Sequence, residues 1–588
     1  MQGSQGDMDP ARARLRDRID QHLEVIYPGC DATLADELIR AMEYPADISS
    51  PDPYENRWNE SDAILITYGN SIHQDGEVPL RTLRDFVNSH LNDIVSSIHI
   101  LPFFPFSSDD GFSVINYLQV NEALGEWEDI EAIAGEYRLM SDLVINHCSS
   151  RSEWFEQFKR NEAPGNRYFI EVNPATDLSE VIRPRTNPLL REVETLTGSR
   201  YVWCTFSHDQ VDLDFSNPEV LLEMVRIIAF YLDRGVQIFR FDAIAFLWKS
   251  IGTSCLNLLE THEIVRLLRT LIEHRDPNAL IITETNIPNR ENLAYFGNAN
   301  EAHIIYNFAL PPLLLHAMVT GNNQYLNNWL MSMPPAQDGT TYLNFIASHD
   351  GIGLRPVEGM LSDEETRELI EAMERAGGHV SWRNLNDTEV RPYEINISLF
   401  DALAGKAGTL RGGPDEWQIA RFLCAHTIMA ALEGIPAFYI HSLLATEGDH
   451  DKVALSGNNR AINRHVWDQS EIAALLKDPE SSNARILAGI RRIMAIRKRQ
   501  PAFHPNATQY TLHLGEGLFA FWRQSRRREQ SIFCVHNITD QDLSFPLGGL
   551  NLVETQDWKD LFTGEHYQDF RETVELAPYQ CLWLSNQT

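Results

Sequence analysis

Three carboxylates, spaced far apart along the chain, each close a strand-like run: Asp242 in VQIFRFDAIAF, Glu284 in ALIITETN and Asp350 in LNFIASHD. In each case an apolar, β-branched stretch stops at an acid. Two carboxyls facing each other across a sugar can break a glycosidic bond, one as nucleophile and one as general acid, and a third can hold the ring. FRFDA sets Arg240 two residues before Asp242, on the same face of a strand. An arginine there keeps the aspartate ionised and oriented, which suits attack on an anomeric carbon. A structural arginine–aspartate pair at a strand end has the same sequence. Glu284 follows two isoleucines and a threonine, and burial at a strand tip raises a carboxyl pKa as a general acid requires. A polar cap before Asn286 is the plainer reading of that glutamate. His147, which ends DLVINH, and His349 beside Asp350 offer hydrogen bonds to sugar hydroxyls, or serve as structural histidines.

Elements must carry these groups to one place. Eight short apolar runs occur at 63–69, 94–103, 138–147, 236–243, 279–286, 302–308, 342–350 and 435–440, with helical patterns such as 257–275 between several of them. Strand alternating with helix predicts parallel βα units, and eight units predict a closed (β/α)8 barrel of the α/β class. Such a barrel delivers catalytic groups to the rim at the C-terminal ends of its strands. About 90 residues separate the third run from the fourth, and nearly as many the seventh from the eighth. Ordinary βα connections are short, so insertions are expected after strands 3 and 7, at about 148–232 and 351–430, both covering the rim. Residues 1–60 read as a helical N-terminal extension and 61–504 as the catalytic barrel. From 505 to 588 the alternation in YTLHLGEGLFAFWR, SIFCVHNIT and QCLWLS predicts an antiparallel β domain.

Composition narrows the partners. The 588 residues are 43% hydrophobic, enough for a large core and more than one domain. Lysine and arginine number 49 against 83 acids, a formal charge of −34, which repels phosphodiester backbones and disfavours nucleic acid. Anionic substrates would need focused arginines in such a field. The seven cysteines have no CxxC spacing and read as free thiols of a reducing compartment. No secretory signal begins the chain and no apolar run spans a bilayer, so a cytoplasmic protein without membrane partners is expected. EGDHD at 447–451 lacks the ligand spacing of a calcium loop, and no metal site is expected. No glycine-rich nucleotide loop occurs. The sequence sets no oligomeric state.

DLVINH, FRFDA, ITETN and ASHD, in that order and each at a predicted strand end, resemble the four signature regions of the α-amylase superfamily of glycoside-active barrels, glycoside hydrolase family 13. The resemblance runs from about 60 to 500. It implies Asp242 as nucleophile, Glu284 as acid/base and Asp350 as the third catalytic carboxylate, with Asp142, Asn146, His147, Arg240 and His349 around the sugar. SSDDGFSVINY and GNNRAINRH resemble segments of the sucrose phosphorylase group. By that resemblance Asp109 holds the far side of a glucose, Phe112 is its apolar platform, and Arg464 pairs with Asp109 to close the pocket behind one sugar. RPYEINISLFDAL resembles the same group and brings Tyr393 and Glu394 to the substrate. The long N-terminus, LITYG, RPRTNPLL and THEIVRLLR look closest to the glucosylglycerate phosphorylases.

That likeness implies a retaining phosphorylase with no cofactor, for which inorganic phosphate is itself a substrate. It would convert an α-glucoside of glycerate to α-glucose 1-phosphate and D-glycerate through a covalent glucosyl-enzyme, with its two carboxyls roughly 5–5.5 Å apart. Arg183 and Arg185 in the first insertion, Arg391 in the second, and Asn286 are the candidates for phosphate and acceptor. Where Asn286 stands, sucrose phosphorylases carry a histidine. Sucrose, sucrose 6'-phosphate or glucosylglycerol as substrate keeps the same chemistry. An α-glucoside hydrolase or transglucosidase is the more distant alternative. Transporter subunits of the superfamily lack the acids and carry an anchor, unlike this chain.

Overall fold

All eight apolar runs become parallel strands of one closed barrel: β1 (Ile64–Thr67), β2 (Ser97–Ile100), β3 (Arg138–Val144), β4 (Val236–Asp242), β5 (Leu280–Thr283), β6 (Ile304–Tyr306), β7 (Thr341–Asn344) and β8 (Ile435–Tyr439). Neighbours pair in sequence order and β8 closes on β1. The computed structural model describes residues 10–45, 48, 51–384, 390–408, 413–550, 557–569 and 571–587. Strands buried on both faces need no alternation, which is why the runs read as continuous β-branched stretches. Register fixes the chemistry: Asp142 of β3 lies beside Arg240 of β4, and Val144 beside Asp242.

Asp242 is the last residue of β4, and Glu284 follows β5 directly, its N–H donating to the Phe241 carbonyl at 3.0 Å. Asp350 differs from the expected pattern. β7 ends at Asn344, so Asp350 rides on a six-residue loop beyond the strand. Its placement depends on loop packing rather than on strand register.

Two N-terminal helices, Pro10–Ile26 and Thr33–Ala41, lie on the outer helical ring, against helices Leu259–Arg275 and Pro218–Asp233 respectively. His22 Nδ1 sits 2.6 Å from Glu263, and the Tyr27 and Tyr44 hydroxyls donate to the carbonyls of Phe215 and Leu271 at 2.8 and 2.9 Å. The first insertion holds helix Glu153–Arg160 and the hairpin Leu190–Thr195/Gly198–Trp203. The second holds helix Asp363–Arg375 and a three-stranded sheet with Val390–Asn396 between Ile352–Gly353 and His379–Asn384. Each insertion is shorter than its predicted span. Helix Pro218–Asp233, and most of Gln418–Ala431, fall inside those spans yet belong to the barrel ring. The C-terminal region forms a six-stranded antiparallel sheet with Ser531–Asn537 and Cys581–Ser585 at its centre, plus the ribbon Leu543–Pro546/Thr573–Leu576. All seven cysteines are free thiols. Among the described residues no helix is long and apolar enough to cross a membrane.

Candidate active site

A cavity of about 1150 Å³, counting its open mouth, sits at the C-terminal rim, with Asp242, Glu284 and Asp350 all in its wall. Arg240 is the pivot of its floor. Its Nη1 donates to Asp242 at 2.7 Å and also to Asp142, whose other oxygen meets His99 Nε2 at 2.7 Å. Arg240 and its two aspartates are each more than nine-tenths buried, so their orientations are locked. Glu284 accepts the backbone N–H of Ala243, the residue after Asp242, at 3.0 Å. One strand end thus carries the first carboxyl and holds the second.

Burial raises both carboxyl pKa values, but not equally. Burial lifts Asp242, and the Arg240 guanidinium bonded to it opposes that lift. Burial lifts Glu284 to about 7; Arg240 offsets part of this, while the charge of Asp242 adds to it. Glu284 has no arginine bonded to it, so the one proton of the pair belongs on Glu284. This is the asymmetry that a nucleophile and a general acid need. Burial also disfavours charge on Asp350, yet the guanidinium groups of Arg460 and Arg464 hold it well below the usual carboxylate range. Burial drives His349 down to about 3, so its imidazole is neutral and serves as a hydrogen-bonding ring, stacked on Phe112 at 5.2 Å.

A family model described as "Alpha amylase, catalytic domain" matches residues 90–352. The chain is 41% identical to the glucosylglycerate phosphorylase of Allomeiothermus silvanus, over 98% of this chain and 100% of that one. It belongs to the α-amylase family, in its sucrose phosphorylase-like group. The glucosylglycerate phosphorylase of Escherichia coli is also 41% identical, over 84% of this chain and 88% of its own. A sucrose phosphorylase from Agrobacterium vitis is 29% identical over 75% and 88%. Among solved structures, the sucrose 6F-phosphate phosphorylase from Thermoanaerobacter thermosaccharolyticum shares the fold with a TM-score of 0.70 at 23% identity, covering 81% of this chain and 94% of that one.

Within this α-amylase family barrel the expected residues divide. Asp109, Phe112, His147, Arg240, His349, Tyr393, Arg185 and Asn286 line the cavity with the three acids. His147 Nε2 lies 2.9 Å from the Phe112 carbonyl, so this histidine anchors the platform as well as facing the cavity. The expected Asp109–Arg464 pair is not formed. Arg464 Nη1 pairs with Asp110, and Arg464 Nε donates to the His349 carbonyl at 3.0 Å. Asp109 instead receives Gln210 Nε2 at 3.4 Å. Both aspartates have left-handed backbones, φ 53° and 46°, and this turn directs the Asp110 carboxyl toward Arg464.

Glu394 is buried and makes a two-point pair with Arg460 Nε and Nη2 at 2.8 and 2.9 Å. It steadies Arg460 and stands outside the cavity wall. Arg183 donates to the Asn187 carbonyl of its own loop and does not reach the cavity. Arg391 lies exposed on the outer part of its strand, across from Arg383, and is not in the wall. At 447–451, Asp449 caps the following helix through Lys452 N at 2.9 Å and contacts His465 at 2.9 Å, which explains that acidic loop. Sequence reasoning missed Arg460, whose Nη1 is 2.6 Å from Asp350. A charge count carries the signal, since Asp350 and Glu394 both need a cation and GNNRAINRH holds two arginines.

Asp209 of the first insertion was also missed. Its carboxylate accepts hydroxyls from Ser107, from Ser108 at 2.6 Å, from Ser113 at 3.0 Å and from Ser150 at 2.6 Å. It thereby ties down the segment bearing Asp109 and Phe112. Asp209→Ala is predicted to lower kcat/KM for glucosyl donors about 100-fold through misplacement of that segment. Asp209→Asn, which still accepts hydroxyl hydrogens, should recover much of it. Steady-state kinetics showing an unchanged alanine variant would disprove the strap.

Proposed function

We propose that the chain is a retaining glucosyl phosphorylase that interconverts an α-glucoside of glycerate plus phosphate with α-glucose 1-phosphate plus D-glycerate. The observation that carries this reading is the 41% identity with glucosylglycerate phosphorylases across 98% of the chain. The cavity supports it. Its inner end, walled by Asp109, His349 and Asp350, with Arg464 behind, fits one sugar. Its wall also includes Arg185, a cation placed over the Tyr393 ring at 5.2 Å, where a charged second reactant can be met.

In the first step a carboxylate oxygen of Asp242 bonds to C1 while the C1–O bond to glycerate breaks. Glu284 gives its proton to the departing oxygen. A β-glucosyl ester on Asp242 results, with Glu284 now a carboxylate. A phosphate oxygen then attacks C1 from the opposite face, passes its proton to Glu284, and frees Asp242. Two inversions give net retention. Asp350, kept ionised by Arg460, holds ring hydroxyls throughout. No cofactor enters these steps.

The test is phosphate release from α-glucose 1-phosphate with D-glycerate, fructose or glycerol as acceptor. Release with D-glycerate is expected to exceed the other two by at least tenfold. Equal slow release with and without acceptor would instead establish a hydrolase.

A further inference from the structure

Arg464 is 2% exposed and has three aspartates for neighbours, Asp109, Asp110 and Asp350. Charge alone does not select among them, so geometry decides. Asp350 is taken by Arg460, whose Nη1 stands at 2.6 Å, while Arg464 Nη2 stays at 3.6 Å. Arg464 Nη1 pairs with Asp110, and its Nε donates to the His349 carbonyl at 3.0 Å. The Asp109 carboxylate is left with one hydrogen bond among the described residues. It is 3.4 Å long and comes from Gln210 Nε2, which also donates to the Phe112 carbonyl at 3.0 Å. Of the two adjacent aspartates, only Asp109 lines the cavity.

The backbone is built for this division. Asp109, Asp110 and Gly111 have consecutive positive φ angles of 53°, 46° and 114°. Such conformations are sparsely populated for aspartate and persist only where the surroundings impose them, most often at functional sites. A Cβ at Gly111 would stand 2.6 Å from the Pro102 carbonyl oxygen, so glycine is what lets the turn close. The turn sends one carboxylate to the cavity and its neighbour to Arg464. An arginine paired with Asp109 would occupy the oxygens that a sugar hydroxyl must reach. A buried guanidinium deprived of Asp110 needs another counter-ion, and Asp109 is the neighbour whose carboxylate is least engaged.

We propose that Asp110 is a positioning residue that holds Arg464 away from Asp109, and so keeps the Asp109 carboxylate open to the hydroxyl on C4, at the far end of the glucosyl ring. The inference rests on the single-glucose site of the phosphorylase reading above. The experiment measures fluoride release from α-glucosyl fluoride and from its 4-deoxy analogue, in phosphate, by wild type, Asp110→Gly and Asp110→Asn. Wild type should favour the parent fluoride by about 10–100-fold in kcat/KM, the range for a hydroxyl donating to a carboxylate. In Asp110→Gly, whose backbone suits φ 46°, that preference is expected to fall about tenfold, because the buried guanidinium then takes Asp109. Asp110→Asn, which keeps an acceptor oxygen but not the charge, should fall between. If the glycine variant does not fold, the asparagine variant decides alone, by a preference several-fold below wild type.

Losses shared equally by the two fluorides would overturn the proposal and leave Asp110 a residue of the fold. Wild type without a preference would overturn it as well, since Asp109 then does not meet that hydroxyl. The products test the phosphorylase reading separately. Glucose in place of glucose 1-phosphate removes that reading, while the preference between the fluorides still reports on Asp110.

Discussion

Asp242→Ala is expected to leave only a trace of turnover in either direction, a loss on the order of 10⁴–10⁶-fold in kcat, as when a catalytic nucleophile is removed elsewhere. The reason is geometric as well as chemical. Arg240 orients one oxygen of Asp242 at 2.7 Å, and no other carboxylate is both ionised and at the end of that strand. The truncation leaves a small space on the face opposite the leaving group. A compact anion such as azide, offered with α-glucosyl fluoride, should enter that space and give the β-glucosyl azide, with one inversion instead of two. Phosphorolysis by the alanine variant at a tenth of the wild-type rate, or an α-azide product, would refute the assignment of Asp242.

Glu284→Gln is expected to cost about 10²–10⁴-fold with glucosylglycerate, the usual worth of a positioned proton donor. The loss should depend on the leaving group. Glycerate departs as an alkoxide and needs the proton, whereas fluoride does not, so formation of the glucosyl-enzyme from α-glucosyl fluoride should be nearly unaffected. The pH profile gives a second readout. With Glu284 held at about 7 by burial, its acid form dominates below that pH and is lost above it. Wild-type kcat/KM for glucosylglycerate should therefore fall as pH rises through about 7, because a carboxylate cannot donate. That limb should vanish in Glu284→Gln. A variant that keeps the limb would show that another group is the acid.

The barrel and its two reacting carboxyls were legible in the sequence because strand length, burial and register are local properties. β4 and β5 run apolar up to Asp242 and Glu284, and nothing distant is needed to put those residues on the rim. Asp350 was read, like the other two acids, as closing a strand-like run, yet its strand ends six residues earlier and loop packing places it. The loops beyond the rim were less readable. Arg464 reaches Asp110 rather than Asp109 because of two left-handed residues that no periodicity announces. Arg183 and Arg185 are two residues apart, yet one closes its own loop and the other faces the cavity. Arg460 draws its meaning from Asp350 and Glu394, partners supplied by distant segments.

Strand Val390–Asn396 carries Tyr393 into the cavity wall and, one residue on, turns Glu394 to Arg460, which in turn grips Asp350. Successive side chains of a strand point to opposite faces. The acceptor wall and the support of the sugar clamp are therefore two sides of one ribbon. Point substitutions at its cavity-facing positions can alter what leaves without disturbing what is held. A single-residue insertion or deletion exchanges the two faces and damages both at once. Diversification of this segment is thus confined to side-chain replacement at constant length, a rule that applies equally to natural drift and to designed changes of acceptor.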